Sequence, residues 1–76
     1  MEIILHRKNT IETLKKVSMA YGVEIDIRTF AKDLIINHDP FHKGQLFKEW
    51  IKYYKHKTLI LNLKEDGLEE EIMFYL

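Results

Sequence analysis

Residues 22–40, GVEIDIRTFAKDLIINHDP, constrain this chain more than any other stretch. Val23, Ile25 and Ile27 alternate with Glu24, Asp26 and Arg28. A period of two is that of a strand with one apolar and one charged face. Residues 31–33, Ala-Lys-Asp, read as a turn, and Leu34-Ile35-Ile36 as the return arm of a hairpin. Asn37-His38-Asp39-Pro40 ends that arm, because Pro40 has no N–H with which to continue a ladder.

The rest of the chain alternates helical and strand patterns around this hairpin. Ile3-Ile4-Leu5 suits a short buried strand. Asn9 is placed to N-cap a helix, with Glu12 reaching back as in a capping box. Ile11, Leu14, Val17 and Tyr21 form its apolar stripe, and Gly22 falls where a left-handed C-cap favours glycine. Leu46, Phe47, Trp50, Ile51 and Tyr54 share one face of a second helix. Residues 58–63, TLILNL, give a third main strand, and 64–67 a loop. Glu69, Glu70 and Glu71 crowd the first turn of a third helix, where the dipole favours anions. Leu68, Ile72 and Tyr75 or Leu76 line its apolar side. The order β-α-β(β)-α-β-α predicts an α/β fold of parallel strands with right-handed crossovers. The sequence stops at Leu76 inside the last helical pattern, which predicts that residues 1–76 are the N-terminal part of a larger α/β domain.

Composition narrows the function classes. With 76 residues and no repeat, the chain is at most one small domain. It has no cysteine, so disulfides and thiolate metal sites are excluded, and a reducing cytoplasm is the expected location. Apolar residues make up 46%, enough for a packed core. Lys+Arg and Asp+Glu are both 12, leaving no global field to attract nucleic acid or an acidic membrane. No apolar run is long enough to predict a transmembrane segment, and the opening MEIILHRKN is not a signal peptide.

Glu24 and Asp26 lie on one side of a strand, roughly 7 Å apart. Such a face either meets water or shares a hard divalent cation, Mg²⁺ or Ca²⁺. His6 follows the first strand and His38 follows the hairpin, near the C-terminal strand ends where parallel sheets gather their sites. Two histidines beside two carboxylates can serve as general acid and general base; each taken singly is also an ordinary loop residue. Arg7, Arg28 and Lys64 are the cations beside these ends, suited to a phosphate or to pairing with Glu24 or Asp26. Lys64 lies two residues after Asn62, on the same face of the third strand. His42 and His56 read as solvated, and the Trp50, Tyr53 and Tyr54 cluster as core rather than a base-stacking platform. No phosphate-cradling Gly-rich loop, nucleophile elbow or HExxH motif is present.

His6-Arg7, Asn9-Thr10, the run from Gly22-Val23-Glu24-Ile25-Asp26 to Ile27-Arg28-Thr29, and His38-Asp39 together resemble the glycerophosphodiester phosphodiesterases, relatives of the phosphatidylinositol-specific phospholipases C. The resemblance implies the first three βα units of a TIM (β/α)8 barrel, with a hairpin after strand two. It implies metal-dependent hydrolysis of a small-molecule phosphodiester, His6 and His38 being acid and base. Glu24, Asp26 and Asn62 would take the divalent cation, and Arg7 and Lys64 the phosphate. The family's glycine after His-Arg is Lys8 here, and its Glu-x-Lys on strand three reads Asn62-Leu63-Lys64. These departures keep open a sugar- or nucleotide-linked phosphodiester as substrate. They also keep open a catalytically silent, self-associating βα module. In either case self-association or the remaining barrel strands would cover the sheet edges.

Overall fold

Every other sheet strand is built out from one long strand, β2 (Gly22–Phe30). The computed structural model describes residues 2–39 and 42–76, so Pro40, which ends the ladder on sequence grounds, lies outside the described residues. β5 (Leu59–Leu63) runs parallel along one edge of β2, from Val23 opposite Leu59 to Ile27 opposite Leu63. The other edge is shared in tandem. β1 (Ile4–Leu5) pairs parallel with Gly22 and Val23, and β3 (Asp33–Ile36) pairs antiparallel with Ile27 to Phe30. β4 (Gln45–Leu46) adds antiparallel to β3. The result is a mixed α/β fold on an open five-stranded sheet, in which the parallel strands β1, β2 and β5 neighbour one another in chain order.

The hairpin closes through Ala31 and Lys32, with φ of 50° and 72°. Two successive left-handed residues make the turn whose twist matches antiparallel strands. The period-2 pattern of β2 sends Val23, Ile25 and Ile27 into the core, each fully buried. There they meet Leu14, Phe47, Trp50, Leu68 and Ile72 from the three helices. Trp50 belongs to that core, as its helical spacing implies, and stacks with Phe47 at 6.5 Å between ring centroids. Its indole N–H donates to the Lys8 carbonyl at 3.1 Å, tying the loop after β1 to the core. Among the described residues no helix is long and apolar enough to cross a membrane.

The helices are shorter than their stripes suggest, and their caps differ. α1 (Ile11–Lys15) is capped by Thr10, not Asn9. The Thr10 hydroxyl accepts the Thr13 N–H and Thr13 returns the bond, a reciprocal cap in which Glu12 has no part. α1 ends in a tightened turn, in which the Lys16 and Val17 N–H groups donate three residues back to the Thr13 and Leu14 carbonyls, and beyond it the Ser18 hydroxyl accepts the Ala20 N–H at 3.2 Å. Val17 therefore covers the core from a turn. α2 (Phe47–Trp50) tightens into a 3₁₀ turn at Ile51–Tyr53, and Leu46, expected on this helix, belongs to β4. α3 (Glu69–Tyr75) begins with the three glutamates, as expected. Gly22 is no C-cap: it opens β2, where a Cβ would stand 2.7 Å from the Thr58 carbonyl oxygen. His56 is half-buried rather than solvated, its Nε2 lying 2.9 Å from the Val17 carbonyl.

Two glutamates latch the sheet at opposite ends of β5. Glu2 accepts the N–H and hydroxyl of Thr58 at 2.9 and 2.8 Å. Glu65 accepts the N–H and hydroxyl of Thr29 at 3.2 and 2.6 Å. These bonds hold both carboxyls below the usual carboxylate range, chiefly through the backbone bond for Glu2 and the hydroxyl bond for Glu65. A carboxyl lowered in the native state gives stability that is complete above its unfolded pKa and is lost as pH falls through the native value. Urea denaturation should show wild type losing stability on acidification below about pH 4. A Thr29→Val, Thr58→Val double variant should lose less between neutral and acid pH. Gly22→Ala should lower stability by about 1–3 kcal/mol in the same assay, since the Thr58 backbone cannot yield freely.

Candidate functional site

The charged face of β2 continues onto β5 because paired residues of parallel strands share a face: Asp26 stands opposite Asn62, and Lys64 follows two residues on. Asp26 is 2% exposed, the only polar or charged residue among the buried ones described. Burying a carboxylate is tolerable only where its oxygens are bonded and its charge offset. Here Asn9 Nδ2 donates to Asp26 Oδ2 at 3.1 Å, and Asn62 Nδ2 donates to Oδ1 at 3.3 Å. The Lys64 ammonium lies 3.6 Å from the same Oδ1.

Asn9 has a second task. β1 leaves the edge of β2 after Val23, and β3 joins it only at Ile27. The Asp26 backbone faces the gap. The Asn9 side-chain oxygen accepts the Asp26 N–H at 3.3 Å, and the Asn37 N–H bonds the Asp26 carbonyl at 3.1 Å. One asparagine amide thus substitutes for a missing stretch of ladder while donating to the carboxylate beyond it. Its orientation follows from these partners, since only the oxygen can accept an N–H.

The two histidines are held alike. His6, exposed at the end of β1, places Nδ1 3.0 Å from Glu24 Oε1. A carboxylate only accepts, so Nδ1 carries the hydrogen and Nε2 is turned to other partners. His38 places Nδ1 3.2 Å from Asp39 Oδ1, and Arg7 Nη2 lies 3.0 Å from His38 Nε2. A guanidinium only donates, so His38 Nε2 holds a lone pair and Nδ1 the hydrogen. Arg28 donates twice to the His38 carbonyl, at 2.9 and 3.2 Å, fixing the backbone of that residue. Arg7 sits at φ 54°, a region non-glycine residues seldom occupy. This backbone turn follows His6, which reaches Glu24, and carries Arg7 to His38.

Of the seven residues expected at the site, His6, Arg7, His38, Asn62 and Lys64 lie at or beside the ends of β1, β3 and β5, whereas Glu24 and Asp26 lie inside β2. The structure joins them in three groups: His6 with Glu24, Arg7 with His38, and Asp26 with Asn62 and Lys64. Arg28, weighed as a carboxylate partner, binds a carbonyl instead. Asn9 and Asp39 complete the arrangement. Asp39 was visible as the neighbour of His38, whereas the tie of Asn9 to Asp26 spans 17 residues and leaves no local pattern.

Glu24, Asp26 and Asn62 supply oxygens of the kind a hard divalent cation accepts. Among the described residues, however, no three His, Asp or Glu side chains converge as a metal-holding group. Lys64 and the Asn62 NH₂ already face Asp26. The residues thus fit a cation in donor type, provided Lys64 yields its place and the Asn62 amide turns its oxygen inward. Comparison of the chain with protein-family models, with curated proteins and with solved structures gives no match. Fold and site define its class by themselves: an α/β chain with two carboxylate-bonded histidines, a buried carboxylate and cations on one sheet.

Asn9→Ala leaves the Asp26 N–H and one carboxylate oxygen without their partner, and should cost about 1–3 kcal/mol of stability by urea denaturation. Lys64→Met should also destabilise, and less so in an Asp26→Asn background, where no buried charge is left uncompensated.

Proposed function

We propose that the chain is the N-terminal part of a phosphodiesterase barrel resembling the glycerophosphodiester family, and that it hydrolyses a phosphodiester by two-histidine acid–base catalysis. The observation that carries this function is the matched setting of the two imidazoles: each has a carboxylate at Nδ1, and one faces an arginine at Nε2. Three parallel strands are three of the eight a barrel requires, so catalysis belongs to the complete barrel.

The Arg7 guanidinium grips the non-bridging phosphoryl oxygens. In turning to the phosphate it releases the His38 Nε2 lone pair. His38 then takes a proton from the attacking water as the water oxygen bonds to phosphorus. His6, charged and held through Nδ1 by Glu24, gives its Nε2 proton to the leaving alkoxide as the second P–O bond breaks. Glu24, Asp26 and the Asn62 oxygen would hold a divalent cation, Mg²⁺ or Ca²⁺, which would supply charge against the phosphoryl oxygens. Lys64, freed from Asp26, adds a point charge to the same group.

Turnover of glycerophosphodiesters by the complete protein should fall about 10²- to 10⁴-fold in both His6→Ala and His38→Ala. A p-nitrophenyl diester separates the roles, because its leaving group needs no proton. His6→Ala should recover most of its turnover on that substrate, and His38→Ala should not. Undiminished turnover in both variants contradicts the function. Lys8 and Asn62 favour a second substrate class, the sugar- or nucleotide-linked phosphodiesters; a substrate panel on the same protein distinguishes them.

A further inference from the structure

β5 leaves one edge open, and the pattern of that edge is specific. The Val23 N–H bonds the Thr58 carbonyl and the Lys64 N–H bonds the Ile27 carbonyl. In a parallel ladder, alternate residues bond to alternate sides. Residues 58, 60, 62 and 64 therefore turn to β2, and Leu59, Leu61 and Leu63 turn their N–H and C=O groups outward. Among the described residues no strand meets them. The same three leucines pack against the core yet are only half-buried, and Ile60 on the opposite face is 38% exposed. No proline, bulge or lysine within the strand guards this edge.

We propose that β5 pairs antiparallel with β5 of a second copy of this chain, about a two-fold axis at Leu61. Charge selects this occupant and this direction. The N-terminal flank of β5 carries Lys55 and Lys57 beside Glu2, which is bonded to Thr58, and the C-terminal flank carries Glu65 and Asp66 after Lys64, so each flank keeps a small excess of one sign. Antiparallel pairing sets the basic flank of each copy against the acidic flank of the other, at both ends. Parallel pairing sets like against like. A two-fold contact is self-complementary, and the five residues Leu-Ile-Leu-Asn-Leu read the same apolar pattern in both directions on the core face. With Leu61 opposite Leu61 and Leu59 opposite Leu63, the outward groups form roughly six backbone hydrogen bonds. The half-buried leucines join into one row, and Ile60 faces Asn62 on the other side. The axis keeps faces together and reverses strand direction, so the two sites lie on the same face at opposite ends of a continuous sheet. In the barrel proposed above the next strand would take this edge, so the pairing is that of residues 1–76 by themselves; its failure leaves the proposed chemistry standing, and a failure of that chemistry leaves the pairing standing.

Sedimentation velocity and residue-resolved hydrogen exchange test it on this chain. Twice the chain mass is expected, with the amides of Leu59, Leu61 and Leu63 protected in the dimer and exchanging at least tenfold faster on dilution. The amides of Ile60, Asn62 and Lys64, bonded within the chain, should stay protected throughout. Ile60→Lys, at an exposed position, should weaken the dimer at least tenfold and leave the circular dichroism unchanged. A monomer at all concentrations overturns the proposal, whether the edge is left bare or taken by another protein. So does a dimer whose Leu59, Leu61 and Leu63 amides exchange freely.

Discussion

The contact between Asn9 and Asp26 is the interaction on which the arrangement depends. β2 is long enough to serve two partners on one edge, but β1 and β3 do not meet, and the strand between them would expose unpaired backbone. Asn9 fills the gap with one amide, accepting from the Asp26 backbone and donating to its side chain. That single group bridges the break in the ladder, gives a buried carboxylate one of its bonds, and sets the loop carrying His6 and Arg7 against the middle of β2. Trp50 secures the other side of this loop by donating to the Lys8 carbonyl. A buried polar group with all its bonds made favours one arrangement over others, because any alternative leaves it unpaired at low dielectric.

The polar groups of the site are matched one to another. Glu24 faces His6 and Asp26 faces Lys64, carboxylate against base, and Arg7 donates to the His38 lone pair. With 12 basic and 12 acidic residues, the chain concentrates its polarity locally and carries no net field. In the function proposed above, Arg7 and Lys64 are the two cations whose present partners a phosphate would replace.

Much of this was legible in the sequence, for identifiable reasons. The alternation of Val23, Ile25 and Ile27 with Glu24, Asp26 and Arg28 settled both the strand and its core face. The spacing of Phe47 and Trp50 marked the core, and the strand at 58–63 appears as β5 within one residue. These are signals of periodicity, which burial enforces. The errors fell where one residue had two uses. Asn9 is a good N-cap by type, but the tertiary bond to Asp26 claims it and Thr10 caps instead. Gly22 suits a helix end, but the close approach of Thr58 explains it. β4 is two residues long and has no period to read. The ion pairs join positions far apart in the chain, so composition named their members without their matching.

The central claim is that these strand ends form one phosphate-binding face. The most direct measurement is nuclear magnetic resonance of the chain titrated with glycerophosphocholine, following the side-chain signals of Arg7, His38 and Lys64. They should shift together and saturate along one binding curve, with the Asn9 amide unmoved because its bonds to Asp26 persist. No shift at these three residues, or shifts that saturate independently, would contradict it.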